Sequence, residues 1–365
     1  MRIGIDVSIL REPPRGVGTY LLNLLSRFSS LAPNDEFILY TPSKLFTNII
    51  YKNYIIKLGK PPLNLLGGTF WLRTNISLRR NNDNLSVFFS PAHVLPPLHK
   101  AIKTVLTVHD LVALLYPETM ANYNRLVHRL YFKQSVARAD KIIVVSEWTK
   151  HLLCEYFSVS ADKISVIYEG FDECFKIYPM SEVKAYLKQL NLTEPYILSV
   201  GTIEPRKNYL CLIQAFKKFS SNFLLVIVGR VGWKARSVFE LIEKLRLKSR
   251  IRILGYVSPK QLPYLYNGAE IFVFPSLYEG FGLPLLEAMA CGASVIASNS
   301  SSLPEIGGDA CIYFNPSDPF DLTEKIDLLI SNSSLKENLK QKSLKRAQNF
   351  SWEQCALKTL SVLKK

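Results

Sequence analysis

The chain of 365 residues contains no apolar run near the ~18 to 20 residues that a helix needs to cross a bilayer. Its opening segment, a strand-like stretch flanked by Arg2 and Asp6, lacks the apolar core of a signal peptide. These absences argue against a membrane-spanning helix and lead us to expect a cytoplasmic protein. The six cysteines, at 154, 174, 211, 291, 311 and 355, form no Cys-x-x-Cys pair and have no histidine at zinc spacing. Neither a zinc site nor a disulfide framework is indicated, so they read as reduced, small apolar residues. Helix-turn-helix, zinc-finger and ribonucleoprotein motifs are missing too, and nucleic acid is not expected as a partner. Gly16 and Gly18 begin a glycine pattern, but Leu21 stands where G-x-G-x-x-G needs its third glycine, so a dinucleotide fingerprint is weak.

Present instead is an excess of positive charge, +15 overall with a pI near 9.4. It is spread along the chain, with 20 basic and 13 acidic residues over positions 1–172 and 25 and 17 over the remainder. That distribution argues against a basic tail and suits phosphorylated ligands, nucleic acid, for which no motif is found, or peripheral contact with an anionic membrane.

The length favours two domains. In the first half, strand-like runs at 2–8, 37–40, 87–89, 104–108, 141–145 and 164–168 alternate with helical stretches, the first at 20–31 after a glycine loop at 16–18. The second half repeats the plan with runs at 196–200, 224–228, 251–254, 271–274 and 294–296, after a linker and a helix at 181–190. Continuous apolar, β-branched runs of this kind predict parallel sheets buried on both faces, hence two doubly wound α/β domains. The spacing of Trp352, Ala356, Leu360 and Leu363 predicts a closing amphipathic helix over 350–365. In such folds ligands bind beyond the carboxyl ends of the strands.

Residues 277–292, LYEGFGLPLLEAMACG, carry the sharpest chemical signal. Pro284 suits the first turn of a helix and Gly292 its stop. The helix start, with Gly280 and Gly282 before it, offers unpaired N–H groups to an anion, yet Glu279 and Glu287 place two carboxylates there. A polyanion would be repelled, so the carboxylates should face hydroxyls. A ligand that is both phosphate and polyol is a nucleotide sugar, with Glu279 on the sugar and Glu287 on the ribose. The plainer reading makes Glu287 a partner of the helix dipole and leaves Glu279 in solvent. A second loop after a strand, GTIEPRKN at 201–208, tips the balance, because Arg206 and Lys207 could neutralise a diphosphate as it departs.

These stretches, with GVGTY at 16–20, VHDL at 108–111, VVSEWTK at 144–150, SSLPEIGGDA at 301–310 and FSWEQCA at 350–356, resemble the family 4 retaining glycosyltransferases of the GT-B fold, nearest the bacterial mannosyltransferase-like branch. The resemblance covers nearly the whole chain. It implies two Rossmann-like domains facing a cleft: an acceptor domain over 1–172, a nucleotide-sugar domain over 173–349, and a helix over 350–365 crossing back to the first. It also implies that Lys207 contacts the donor diphosphate, Glu279 the hexose and Glu287 the ribose, while backbone groups of Gly280, Phe281, Gly282 and Leu283 hold donor oxygens. Gly16 and Gly18 become a cleft loop facing the phosphates; their plainer reading is a tight strand-to-helix turn. His109, at a strand end, matches a family histidine that positions the donor sugar, with Asp110 either fixing the ring or capping the next helix. Ser146 is a helix cap.

Two positions depart from the family pattern. Thr202 stands where an arginine is common, and Arg206 is expected to supply the missing charge. Glu169 stands where an asparagine is common. The chain also lacks the Asp-x-Asp triplet with which sugar transferases of the other major fold hold a cation, so no metal and no cofactor are expected. Catalysis is assigned to His109, Arg206, Lys207 and Glu279. The stretch at 61–80 reads first as an amphipathic helix over 70–80 and second as a seat for lipid headgroups or a lipid-linked acceptor. The expected reaction is hexose transfer, with mannose from GDP-mannose preferred, to a glycan or lipid-linked glycan in surface polysaccharide or O-antigen synthesis. A UDP-hexose donor, a nucleotide-sugar epimerase and a non-catalytic sensor stand as alternatives.

Overall fold

Leu224–Val228 reads LLVIV, and all five side chains are buried. Strands of this composition can only be interior, with helices on both faces. In the computed structural model, which describes residues 1–11, 16–46, 49, 51–59, 71, 83–119, 122–219 and 223–365, thirteen strands, the inner ones of this kind, form two parallel sheets. The chain divides into two compact units, Met1–Glu169 with Ser351–Lys365, and Gly170–Phe350.

The first unit contains β1 (Arg2–Asp6), β2 (Glu36–Thr41), β3 (Tyr54–Leu58), β4 (Val87–Ser90), β5 (Lys103–Val108), β6 (Lys141–Val144) and β7 (Ile164–Val166), in the order β3-β2-β1-β4-β5-β6-β7. The helix after β1 runs over Val17–Leu31, capped by Gly16 at φ 43°. It starts earlier than the expected 20–31, so Gly18 is a buried residue of the first turn rather than part of an open loop. The strand expected over 2–8 ends at Asp6, and Ser8–Arg11 turns into a short 3-10 helix. There the Asp6 carboxylate accepts from the Ser8 N–H at 2.9 Å, a local bond that competes with strand continuation.

The closing helix, Trp352–Lys364, belongs to this unit. The Ser351 hydroxyl caps it by accepting from the Glu353 N–H at 3.1 Å, a bond worth about 1 kcal/mol. Its apolar stripe, Trp352, Ala356, Leu360 and Leu363, is buried. The Trp352 ring meets Tyr20 of the Val17–Leu31 helix at 6.2 Å, and Lys364 pairs with Asp35 at 2.7 Å.

The second unit contains β8 (Tyr196–Val200), β9 (Leu224–Val228), β10 (Ile251–Gly255), β11 (Ile271–Phe274), β12 (Val295–Ser298) and β13 (Cys311–Phe314), ordered β10-β9-β8-β11-β12-β13. The direction of chain progression reverses between β8 and β11, and that switch point is where an open parallel sheet leaves room for a ligand. β3 and β13 were not anticipated; both are edge strands, and their mixed burial lacks the continuous apolar run of the inner strands. The helix expected over 70–80 lies outside the described residues except for Trp71, which is buried. Among the described residues no helix is long and apolar enough to cross a membrane.

Candidate functional site

The loops that leave β8 and β11 meet at the switch point of the second sheet. After β8 the chain passes Gly201 and forms a short 3-10 turn over Pro205–Lys207. Close packing requires glycine here: a Cβ on Gly229 would lie 1.9 Å from the Gly201 carbonyl oxygen, which itself accepts from the Tyr209 hydroxyl at 2.9 Å. After β11 the chain runs through Glu279 to Gly282, whose φ of 107° is open to glycine and caps the helix Leu283–Ala290. Pro284 falls in the first turn and Gly292, at φ 68°, follows the last, as expected.

The two loops are joined along the backbone and through side chains. Leu277 N–H donates to the Arg206 carbonyl at 2.8 Å. Lys207 Nζ donates to Glu279 Oε1 at 2.5 Å and Arg206 Nη1 to Glu279 Oε2 at 2.8 Å. Arg206 also donates to the Tyr278 carbonyl at 2.8 Å and to Glu204 at 2.9 Å. Glu279 is therefore not in solvent; it is 8% exposed and Lys207 9%. Burial pushes the Glu279 carboxyl up, but Arg206 and Lys207 outweigh it and carry the group down to about 2, so it is ionised at neutral pH. Burial lowers Lys207, Glu279 opposes that shift, and the neighbouring Arg206 adds to it.

Glu287 occupies different surroundings. It lies in the middle of its helix, past the first turn, which excludes the simple dipole reading. Among the described residues its side chain has one hydrogen-bond partner, the Tyr266 hydroxyl at 3.0 Å. Burial raises the carboxyl to about 7, against the Tyr266 bond, and Asp172 adds to the rise. Phe281 turns its ring into the interior, against Phe350 at 5.9 Å, and leaves only its backbone for a ligand. Leu283 opens the helix, whose first N–H groups lie outside the helical ladder.

Sequence reasoning missed the serines that hold the Glu279 loop. Ser298 and Ser300 donate to the carbonyls of Ser276 and Leu277. Ser301 Oγ accepts from the Glu279 N–H at 2.9 Å, and Ser302 Oγ bonds the carbonyls of Glu279 and Phe281, each at 3.0 Å. A polar SNSSS run directly after an apolar strand was the available signal.

In the first unit, His109 sits just past β5 and is 7% exposed. Its Nε2 donates to the Pro91 carbonyl at 2.8 Å, and Nδ1 lies 3.3 Å from Glu169 Oε1. Because a carbonyl only accepts, Nε2 carries a proton and Nδ1 is the nitrogen that faces the Glu169 carboxylate. Asp110 does not fix the ring; its carboxylate accepts from the Val112 N–H at 3.1 Å, the capping alternative. Tyr20 packs edge-on against the imidazole at 4.7 Å. The unusual Glu169 is thus the ring's partner. Ser146 caps its helix, accepting from the Thr149 N–H at 3.2 Å. Gly16 caps the helix after β1, and a Cβ there would meet nothing within 4 Å. No group of His, Cys, Asp and Glu among the described residues could hold a metal ion.

Two parallel Rossmann-like sheets, with a closing helix returned to the first, define the GT-B architecture. Consistent with this, Anabaena Alr3699/HepE, in a crystal structure with UDP and glucose, superposes over 100% of this chain and 99% of its own with a TM-score of 0.78 at 17% identity. The model for glycosyl transferases group 1 matches residues 184–346, and that for Glycosyltransferase Family 4 matches residues 14–173. The O-antigen chain mannosyltransferase B of Escherichia coli is 33% identical over 100% of both chains. The O-antigen chain mannosyltransferase RfbU of Salmonella typhimurium is 28% identical over 86% of this chain and 87% of its own. The chain belongs to glycosyltransferase family 4.

Proposed function

We propose that this glycosyltransferase transfers mannose from GDP-mannose, with retention of configuration, to a growing glycan or lipid-linked glycan in O-antigen or related polysaccharide synthesis. The full-length relationship to an O-antigen mannosyltransferase carries the choice of sugar and acceptor. In this reading the second unit binds the donor, with Lys207 and Arg206 on the diphosphate, Glu279 on the hexose and Glu287 on the ribose. Main-chain groups of Gly280, Phe281, Gly282 and Leu283 line the donor oxygens. The first unit takes the acceptor, and Gly16, Gly18 and His109 are the residues of that unit assigned to the donor. The cations stabilise charge on the departing diphosphate, which in turn receives the acceptor hydroxyl's proton, so catalysis rests on positioning and electrostatics.

Titrating the protein calorimetrically with GDP-mannose, GDP, UDP-glucose and UDP-N-acetylglucosamine, and repeating the series on Lys207→Ala, tests the donor. Selective guanine-nucleotide binding, weakened by the substitution, is the expected result. A UDP-hexose donor is the second reading, favoured by the likeness to the Anabaena protein solved with UDP and glucose. Selective uridine binding would establish it at the expense of mannose.

A further inference from the structure

The cations assigned to the donor diphosphate hold carboxylates of the protein itself. Both oxygens of Glu279 are engaged, one by Lys207 at 2.5 Å and one by Arg206 at 2.8 Å, and the second guanidinium nitrogen is held by Glu204 at 2.9 Å. A diphosphate cannot approach these two side chains without displacing the Glu279 carboxylate or lying beside it as a like charge, and both are costly in a buried setting.

The main chain that carries the Glu279 carboxylate is held by bonds separate from its ion pairs. The Glu279 backbone is pinned at both ends, its N–H on Ser301 and its carbonyl on Ser302, each through a hydroxyl. The two loops remain stitched by the Leu277–Arg206 backbone bond whether or not the ion pairs persist. Rotation of the Glu279 side chain would free Lys207 and one bond of Arg206, which stays on the Tyr278 carbonyl and Glu204.

Resting on the donor-site reading above, we propose that Glu279 is an internal competitor for the diphosphate, and that it makes the site discriminate a sugar nucleotide from the same nucleotide without its sugar. An intact donor brings hydroxyl groups that give the displaced carboxylate new hydrogen-bond donors. A sugar-free nucleoside diphosphate brings no hexose hydroxyls, and its ribose is assigned to Glu287, so Glu279 stays on the cations or repels the ligand. Once the sugar has been transferred, the carboxylate swings back to Lys207 and Arg206 and loosens the hold on the product. The same residue thus favours loading before transfer and release after it.

Glu279→Gln removes the competing charge while keeping the size and hydrogen-bonding ability of the side chain. Binding of inorganic pyrophosphate, GDP and UDP to this variant should tighten about tenfold or more relative to the unsubstituted protein. GDP-mannose and UDP-glucose should lose most of their advantage over GDP and UDP. Equal or weaker binding of pyrophosphate and the diphosphates to Glu279→Gln, in a protein that still binds a sugar nucleotide without the substitution, overturns the competition and leaves the donor site standing. Failure of every nucleotide to bind either protein removes both.

Should the lone substitution leave Lys207 too poorly paired to fold, comparison of Lys207→Met with Lys207→Met/Glu279→Gln keeps the test open. The double variant has lost a cation and an anion together, and Arg206 remains to bind phosphate. Removing Glu279 must again tighten pyrophosphate binding, by a smaller factor, and a null or opposite change there equally overturns the inference.

Discussion

The Arg206 guanidinium donates to the Tyr278 carbonyl at 2.8 Å, reaching from the loop after β8 to the main chain of the loop after β11. The same group binds Glu279 and Glu204, so Arg206 is as much a clamp as a charge. Its substitution therefore has two separable consequences. Arg206→Ala should cost roughly 2 kcal/mol of stability, since it strips a partly buried carbonyl and two carboxylates of a charged donor. Donor affinity should fall about tenfold, and by more than thermal destabilisation alone explains. Chemical denaturation and donor titration on the same preparation separate the two effects; unchanged donor affinity would remove Arg206 from the donor site.

Gly229 and Gly201 illustrate how much of the site is made by backbone proximity. A Cβ on Gly229 meets the Gly201 carbonyl oxygen at 1.9 Å, whereas one on Gly255 enters open space and is disfavoured only by its φ of 69°. Gly229→Ala should cost about 3 kcal/mol and Gly255→Ala about 1 kcal/mol. Because Gly201 also packs against the Lys207 side chain, Gly229→Ala should weaken donor binding at a temperature where the protein is still folded. Thermal unfolding with parallel titration reads both.

The burial that raises Glu287 to about 7 sets a pH dependence. Its folded-state pKa lies above the ordinary 4.5, so the folded protein binds the proton more tightly than the unfolded chain. The sign follows: stability falls as pH rises from about 4.5 through about 7, and the full penalty, roughly 3 kcal/mol, is present above that window. Glu287→Gln, whose amide oxygen still accepts from Tyr266, should raise the melting temperature at pH 8 and leave it unchanged near pH 4. The same variant should bind the donor less well. Equal melting temperatures at pH 8 would place the carboxyl in a more solvated setting.

Glu169 can be tested through the imidazole it holds. With Nε2–H committed to Pro91, Glu169→Gln can donate its amide proton to a neutral Nδ1 and keep the ring in place. Glu169→Ala cannot. If His109 positions the donor sugar, the alanine variant should lower kcat by ten- to about a hundredfold, with the glutamine variant much nearer the unsubstituted protein. ¹⁵N spectra of the imidazole should retain a protonated Nε2 in the glutamine variant. Equal activity of both variants would confine Glu169 to a structural role.

Local order along the chain was enough for the inner strands. β8, β9 and β11 lie on the residues that their apolar runs predict, because a strand buried on both faces must be apolar throughout. The helix start at Leu283 and the stop at Gly292 were legible for a similar reason: proline and glycine restrict the backbone where they stand. Edge strands β3 and β13 escaped notice because partial exposure relaxes that demand.

The sequence by itself thus determined two parallel α/β sheets, the helix that closes the chain, and a pair of glutamates at the right spacing beside a Gly-Phe-Gly turn. Only the tertiary structure decided that Glu279 meets Lys207 from 72 positions earlier, that Glu287 lies apart against Tyr266, and that Glu169 rather than Asp110 holds His109. Those contacts follow from which strands become neighbours in the sheets. That adjacency is settled by burying all the apolar faces together, and spacing along one segment carries no record of it.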